Sequence, residues 1–270
     1  MSQDRRTWRA NDRVAHPDIA AQAGLSAARP VVRRVLPPVA NLCAAPAGAR
    51  DKQLVRGAAF EVLEDRDGWS FGTDVSDGYV GHLPTSVLAE HEGDLRTVDV
   101  LTAHVYRDAD FKSPDMALLP FGAMVAVSEE KDGYLRVEDG WMMAQHVGLS
   151  EKPVDWVAIA ERFLGTPYLW GGNTSFGIDC SGLVQVARHA AGLTAPRDSD
   201  MQQAAFPEVT GDPSRGDLVF WKGHVGVMVS ETELLHANAH HMMVAKEPFA
   251  QAKARIGAKE FGAVAKIARP

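Results

Sequence analysis

The chain has 270 residues, 46% of them hydrophobic and 23% charged, enough to bury one sizeable core plus one or two small ones. A formal net charge of -7, with no dense basic stripe, argues against a nucleic-acid partner. The two cysteines, Cys43 and Cys180, lie far apart without clustered partners, which excludes a disulfide framework and a structural zinc site.

Residues 1–34 are locally basic, with Arg5, Arg6, Arg9, Arg13, Arg29, Arg33 and Arg34 set against Asp4, Asp12 and Asp18, and are expected to form a solvated arm. Asp12, Arg13, His16 and Asp18 interrupt every candidate for the apolar stretch of a secretory signal. No later run approaches the roughly 18 apolar residues of a membrane span. The expectation is therefore a cytoplasmic protein with no membrane partner.

An internal repeat follows. Residues 57–69 align without a gap on residues 122–134, each copy giving a strand, a charged turn closed by Asp-Gly (Asp67-Gly68, Asp132-Gly133), and an aromatic (Trp69, Tyr134) opening the next strand. A second Asp-Gly-aromatic follows in both, at Asp77-Gly78-Tyr79 and Asp139-Gly140-Trp141. Such short strands and glycine-rich turns predict two small all-β barrels, over residues 35–92 and 93–151. The repeat resembles bacterial SH3 domains. Cys43, in Asn41-Leu42-Cys43-Ala44, reads as a small packing residue.

From Pro153 the pattern turns helical, with Trp156, Ile159, Ala160, Phe163 and Leu164 at helical spacing up to Gly165. A loop through Tyr168-Leu169-Trp170-Gly171-Gly172 precedes a second helix, which Asp179 is placed to cap, which Cys180 opens and whose end Gly192 marks. Strands are expected at 217–221, 224–229 and 233–238, with a further one at 263–267. Residues 152–270 thus read as an α+β domain, helices first and sheet after.

A cysteine in the first turn of a helix gains from unpaired backbone N–H groups, which favour thiolate. In His224-Val225-Gly226-Val227-Met228 the valines point to one face and His224 to the other. A tight turn at Ser230-Glu231-Thr232 sets Val229 opposite Glu233, Gly226 opposite His236, and His224 opposite Asn238, so both histidines share an outward face. Gly226 then leaves space for the two rings. This chemistry assigns Cys180 as nucleophile, His224 as proton acceptor and His236 as the group that orients it. The Cys180 N–H and the Tyr168 hydroxyl are candidate donors to an oxyanion.

The ordered set Tyr168-Leu169-Trp170-Gly171-Gly172, Asp179-Cys180-Ser181-Gly182, Pro196-Arg197-Asp198, Gly216-Asp217-Leu218-Val219-Phe220-Trp221, His224-Val225-Gly226 and His236 resembles NlpC/P60 cysteine peptidases. The resemblance implies a papain-like catalytic domain over 152–270 that cleaves the γ-D-glutamyl bond to the diamino acid of peptidoglycan stem peptides. It also implies that Asp179 and Ser181 hold substrate, that Trp170 walls the pocket, and that Tyr79 reaches a free L-Ala amine. One departure stands out: Ala58 replaces the acidic residue these relatives often carry after the glycine of the first SH3 unit. Arg197 and Asp198 are read as structural, starting the next helix.

The resulting expectation is a γ-D-glutamyl-L-diamino acid endopeptidase that needs no cofactor and acts on L-Ala-γ-D-Glu-diamino acid peptides in cell-wall recycling. Diaminopimelate and lysine both remain open at the third position. The alternatives are an exported hydrolase of intact wall and a non-catalytic SH3-type binding protein. His240-His241-Met242-Met243 is read as a surface or substrate loop with no metal, because adjacent residues on a strand face opposite ways.

Overall fold

The computed structural model describes residues 3–90, 95–148, 155–259 and 261–270, in two units, Met1–Leu149 and Ser150–Pro270. The expected boundaries at 92/93 and 151/152 fall outside the described residues.

In the first unit the repeat reappears as geometry. The hairpin from Ala59–Arg66 to Trp69–Asp74 closes with Arg66 opposite Trp69, and that from Glu129–Lys131 to Tyr134–Val137 with Lys131 opposite Tyr134. Both turns take left-handed backbone at two successive residues, Asp67 and Gly68 (φ 51 and 80) and Asp132 and Gly133 (φ 50 and 79). Asp-Gly provides this pair at low cost, so the hairpins twist with their strands. The first barrel is a seven-stranded antiparallel sheet ordered Arg50–Val55, Val39–Cys43, Val80–Pro84, Trp69–Asp74, Ala59–Arg66, Val31–Val35, Leu88–Ala89. Its core holds Val35, Leu42, Leu54, Phe60, Tyr79 and Leu83. The second barrel encloses Val98, Val105, Leu119, Val125, Leu135 and Met142.

The basic N-terminal segment is not a solvated arm. Val31–Val35 is a strand of the first barrel, paired with Ala59–Arg66. Upstream, Val14 and Ala28 pack on Leu63, Phe71 and Val80, and Ala15 is fully buried. The arginines serve this docking: Arg13 and Asn11 bond Glu64, Arg33 pairs with Asp65 at 2.8 Å, and Arg5 with Asp51 at 2.7 Å. Counting charge hid the short apolar residues between them.

Five antiparallel strands form the main sheet of the second unit, ordered Met243–Pro248, Glu233–Asn238, His224–Met228, Leu218–Trp221, Lys266–Ala268. The expected hairpin has the expected register: Val227 faces Leu235, Met228 faces Leu234, and the Val229 N–H bonds the Glu233 carbonyl. The helix Cys180–Ala190 packs against the strands His224–Met228 and Glu233–Asn238. On one sheet face Ala252 and Ile256 of the helix Phe249–Lys259 join Val219, Trp221, Met228 and Leu234. That helix and the strand Met243–Pro248 were not anticipated, and they change the environment of the histidines. His224 and His236 do not face outward; they are 4% and 1% exposed. Gly226 has a different use as well: a Cβ there would meet Leu234 at 2.8 Å, so the space it leaves is filled by leucine. Among the described residues no helix is long and apolar enough to cross a membrane.

Candidate active site

The site begins at a helix cap. Asp179 takes extended backbone and its carboxylate accepts from the Gly182 N–H at 2.7 Å, which starts the helix at Cys180. The same carboxylate accepts from the Gly171 N–H (2.9 Å), the Ser181 hydroxyl (3.3 Å) and both terminal nitrogens of Arg197 (2.9 and 2.6 Å). Arg197 also donates to the Ser181 hydroxyl and the Gly172 carbonyl. This buried ion pair ties the loop 168–172 to the helix start. Gly182 permits the close approach, since a Cβ would lie 2.5 Å from the Gly172 oxygen.

The pair gives Asp179, Ser181 and Arg197 a shared structural task. A carboxylate has about four acceptor sites, and the five donors on Asp179 occupy them. Asp179 and Ser181 are both buried, with their polar atoms bonded within the scaffold. Arg197 is structural, as expected, yet through Asp179 and not by starting the following helix, whose N-cap is Asp198.

The Cys180 sulfur is met by the backbone N–H groups of Ser181 and of Val225, the residue after His224, so this sulfur sits at the start of the histidine strand. Burial pushes its thiol up to about 12, and the Asp179 charge adds to this; the two N–H groups and Arg197 oppose it. Burial likewise pushes the His224 imidazole down to about 3, with the His236 ring and Arg255 acting in the same direction. Both shifts run toward neutral thiol and neutral imidazole, against the thiolate that the helix start favours. The helix end lowers the cost of the anion without overcoming its desolvation.

His224 Nε2 lies 2.8 Å from His236 Nδ1, and His236 Nε2 lies 2.7 Å from Glu247 Oε1. Arg255 grips Glu247 with two bonds of 2.5 and 2.7 Å. Although burial disfavours its charge, Arg255 and His236 hold Glu247 well below the usual carboxylate range. Trp221 and Phe261 flank the His224 ring, with centroids 5.7 and 5.4 Å away and Phe261 stacked at 16°. Sequence reasoning missed Glu247, Arg255 and Phe261. The available signal was the strand after His236: with His236 opposite Ala245, Glu247 is its diagonal neighbour on the same face.

Tyr168 is half-buried at the loop, its N–H bonded to the Met242 carbonyl. Burial, then the charges of Cys180 and Asp179, raise its phenol, so the hydroxyl stays protonated and able to donate. Trp170 stands 71% exposed on the same loop. His236, His241 and Glu247 form a cluster within the reach of a cation, but the His236–Glu247 spacing is that of a hydrogen bond and Arg255 already neutralises the carboxylate. His241 bonds Asn238.

In the first unit, Tyr79 is 3% exposed and lies in the barrel core. The carboxylates of Asp74 and Asp77 are both taken by the buried Lys52 ammonium at 2.6 Å. Tyr79 is thus a core aromatic, with Lys52 Nζ 5.8 Å from its ring centroid.

Residues 165–255 match the NlpC/P60 family, a family of cysteine peptidases, and the cysteine helix and both histidine strands fall inside the match. The C-terminal unit is an NlpC/P60 domain. Residues 42–88 match the bacterial dipeptidyl-peptidase Sh3 domain, which places the first barrel. The gamma-D-glutamyl-L-lysine dipeptidyl-peptidase of Bacillus subtilis (strain 168) is 32% identical over 155 residues, covering 50% of this chain and 50% of the relative. Dipeptidyl-peptidase 6 of Lysinibacillus sphaericus is 35% identical over 116 residues, covering 39% and 41%. The chain thus spans about half or less of the length of these curated relatives. The crystal structure of an NlpC/P60 family protein from Bacillus cereus ATCC 10987 superposes with a TM-score of 0.72 at 18% identity, over 88% of this chain and 99% of that one, which shows a shared fold.

Proposed function

We propose that the protein hydrolyses the γ-D-glutamyl–diamino acid bond of murein stem peptides that carry a free N-terminal L-Ala, in the recycling of cell-wall peptides. The observation that carries this reading is the joining of an NlpC/P60 domain, with a bonded and buried His224–His236 pair and the buried Cys180 sulfur at the Val225 N–H next to His224, to a barrel of the dipeptidyl-peptidase Sh3 type. The names of the Bacillus subtilis and Lysinibacillus sphaericus relatives support the same bond and exopeptidase mode. The two free cysteines fit a cytoplasmic setting.

In this reading the Cys180 S–H proton passes to His224 as sulfur bonds the γ-carbonyl carbon of D-Glu, the order that the upward shift of the thiol and the downward shift of the imidazole favour. The Tyr168 hydroxyl and the Cys180 N–H, one of the first-turn donors a helix leaves unused, receive the oxyanion. The C–N bond then breaks, and the leaving amine of the diamino acid takes the proton from His224. Water attacks the thioester, returning a proton through His224 to sulfur and releasing L-Ala-γ-D-Glu.

A second reading, a hydrolase of intact wall, is favoured by the 38% identity over 89 residues to a Bacillus subtilis bifunctional muramidase/DL-endopeptidase. Comparing L-Ala-γ-D-Glu-L-Lys with its N-acetylated form separates them. The proposed enzyme cleaves the free peptide and spares the blocked one; equal cleavage of both, or release of peptides from insoluble peptidoglycan, contradicts it.

A further inference from the structure

We infer that Glu247, fixed by Arg255, is a positioning residue that sets the tautomers of both imidazoles and thereby selects Nδ1 of His224 as the catalytic base. This deepens the proposed peptidase reading and rests on it for its catalytic meaning. The chain of bonds runs from Arg255 through Glu247 and His236 to His224, with every link between 2.5 and 2.8 Å.

The direction of each bond follows from the end of the chain. Arg255 can only donate, and its two bonds keep Glu247 an anion, which can only accept. His236 Nε2 must therefore carry a hydrogen. In this proposal His236 is a neutral imidazole with one N–H, so its Nδ1 is bare and accepts, and His224 Nε2 is the donor across the 2.8 Å contact. The remaining nitrogen of His224, Nδ1, is left with its lone pair. A carboxylate of 10% side-chain exposure thus decides, two rings away, which atom can take the thiol proton.

The same logic predicts what an isosteric change does. In Glu247→Gln the amide oxygen, at the Oε2 position, keeps the bond from Arg255 Nη1, and the amide NH2, at the Oε1 position, faces His236 and gives up the bond from Arg255 Nη2. His236 Nε2 then becomes an acceptor, its Nδ1–H donates to His224 Nε2, and the single hydrogen of His224 moves to Nδ1. Volume is kept and one of the two Arg255 bonds is lost while the base is blocked.

The test is 15N NMR of histidine-labelled full-length protein without substrate, which reads each ring nitrogen directly, joined to steady-state kinetics on the tripeptide. Expected for wild type are Nε2–H on both His224 and His236; for Glu247→Gln, Nδ1–H on both, with kcat lower by about 10²–10⁴ and KM within about threefold. Glu247→Asp, which keeps an anionic acceptor, should retain the wild-type tautomers. The inference is overturned by Nδ1–H on His224 or a doubly protonated His236 in wild type, or by Glu247→Gln leaving tautomers and kcat unchanged. Because the spectra need no turnover, a wild type with these tautomers that cleaves no peptide contradicts the proposed function and leaves the relay standing.

Discussion

Acid pH should destabilise this protein in good part through one buried ring, His224. His224 is held neutral by burial, aided by its neighbours His236 and Arg255, with its imidazole down at about 3 against the usual 6.5. Between those values the unfolded chain takes up a proton at this residue and the folded chain does not. The stability lost through this ring therefore grows as pH drops through 6.5 and levels off below about 3. At about 1.36 kcal/mol per unit the full window amounts to about 5 kcal/mol, and the step from pH 7 to pH 5 to about 2 kcal/mol. His224→Gln removes the titrating group, and whatever its own cost, that cost cancels when one variant is compared with itself at two pH values. Urea unfolding of the full chain at pH 7 and pH 5 should show wild type losing about 2 kcal/mol more than the variant. Equal losses would mean that His224 titrates normally in the folded state, and the downward shift of its imidazole would have to be abandoned.

Other consequences follow from the same contacts. Arg197→Met strands the buried Asp179 carboxylate and should lower stability by about 3–5 kcal/mol, read from the urea midpoint; Asp179→Asn in the same chain should recover part of it. Lys52→Met leaves Asp74 and Asp77 facing each other in the first barrel and should cost about 3–5 kcal/mol, again by urea unfolding. Gly182→Ala drives a methyl against the Gly172 backbone oxygen and should cost more, by about 1–3 kcal/mol, than Gly226→Ala, whose methyl meets the movable end of Leu234. Thermal melts of the two glycine variants give that ordering directly.

Much of the site was legible before the fold. Asp179 before Cys180 announced a capped helix, and alternation through His224-Val225-Gly226-Val227 with a short turn fixed the register that sets His236 beside His224. Both Asp-Gly turns announced their hairpins because only a few residue types accept two successive left-handed positions. What stayed hidden had physical reasons. Residues 243–259 mix lysines, a glutamate and alanines, so neither a strand nor a helix period stands out, and with them Glu247, Arg255 and the cover over the histidine face were lost. The partners of Asp179 lie up to 18 residues away in sequence, and no local pattern shows that a carboxylate at a helix start will be saturated from within. Tyr79 reads alike whether it lines a surface or a core, and only the closure of the barrel around it decides.

The central claim is that Cys180, served by His224, breaks the bond between D-Glu and the diamino acid. Incubation of L-Ala-γ-D-Glu-meso-diaminopimelate, and of its L-Lys counterpart, with wild type and with Cys180→Ala, followed by mass spectrometry, tests it most directly. The account predicts that wild type converts at least one tripeptide to L-Ala-D-Glu plus the free diamino acid and that Cys180→Ala leaves both intact. Two uncleaved peptides with wild type, or the same products from Cys180→Ala, would contradict it.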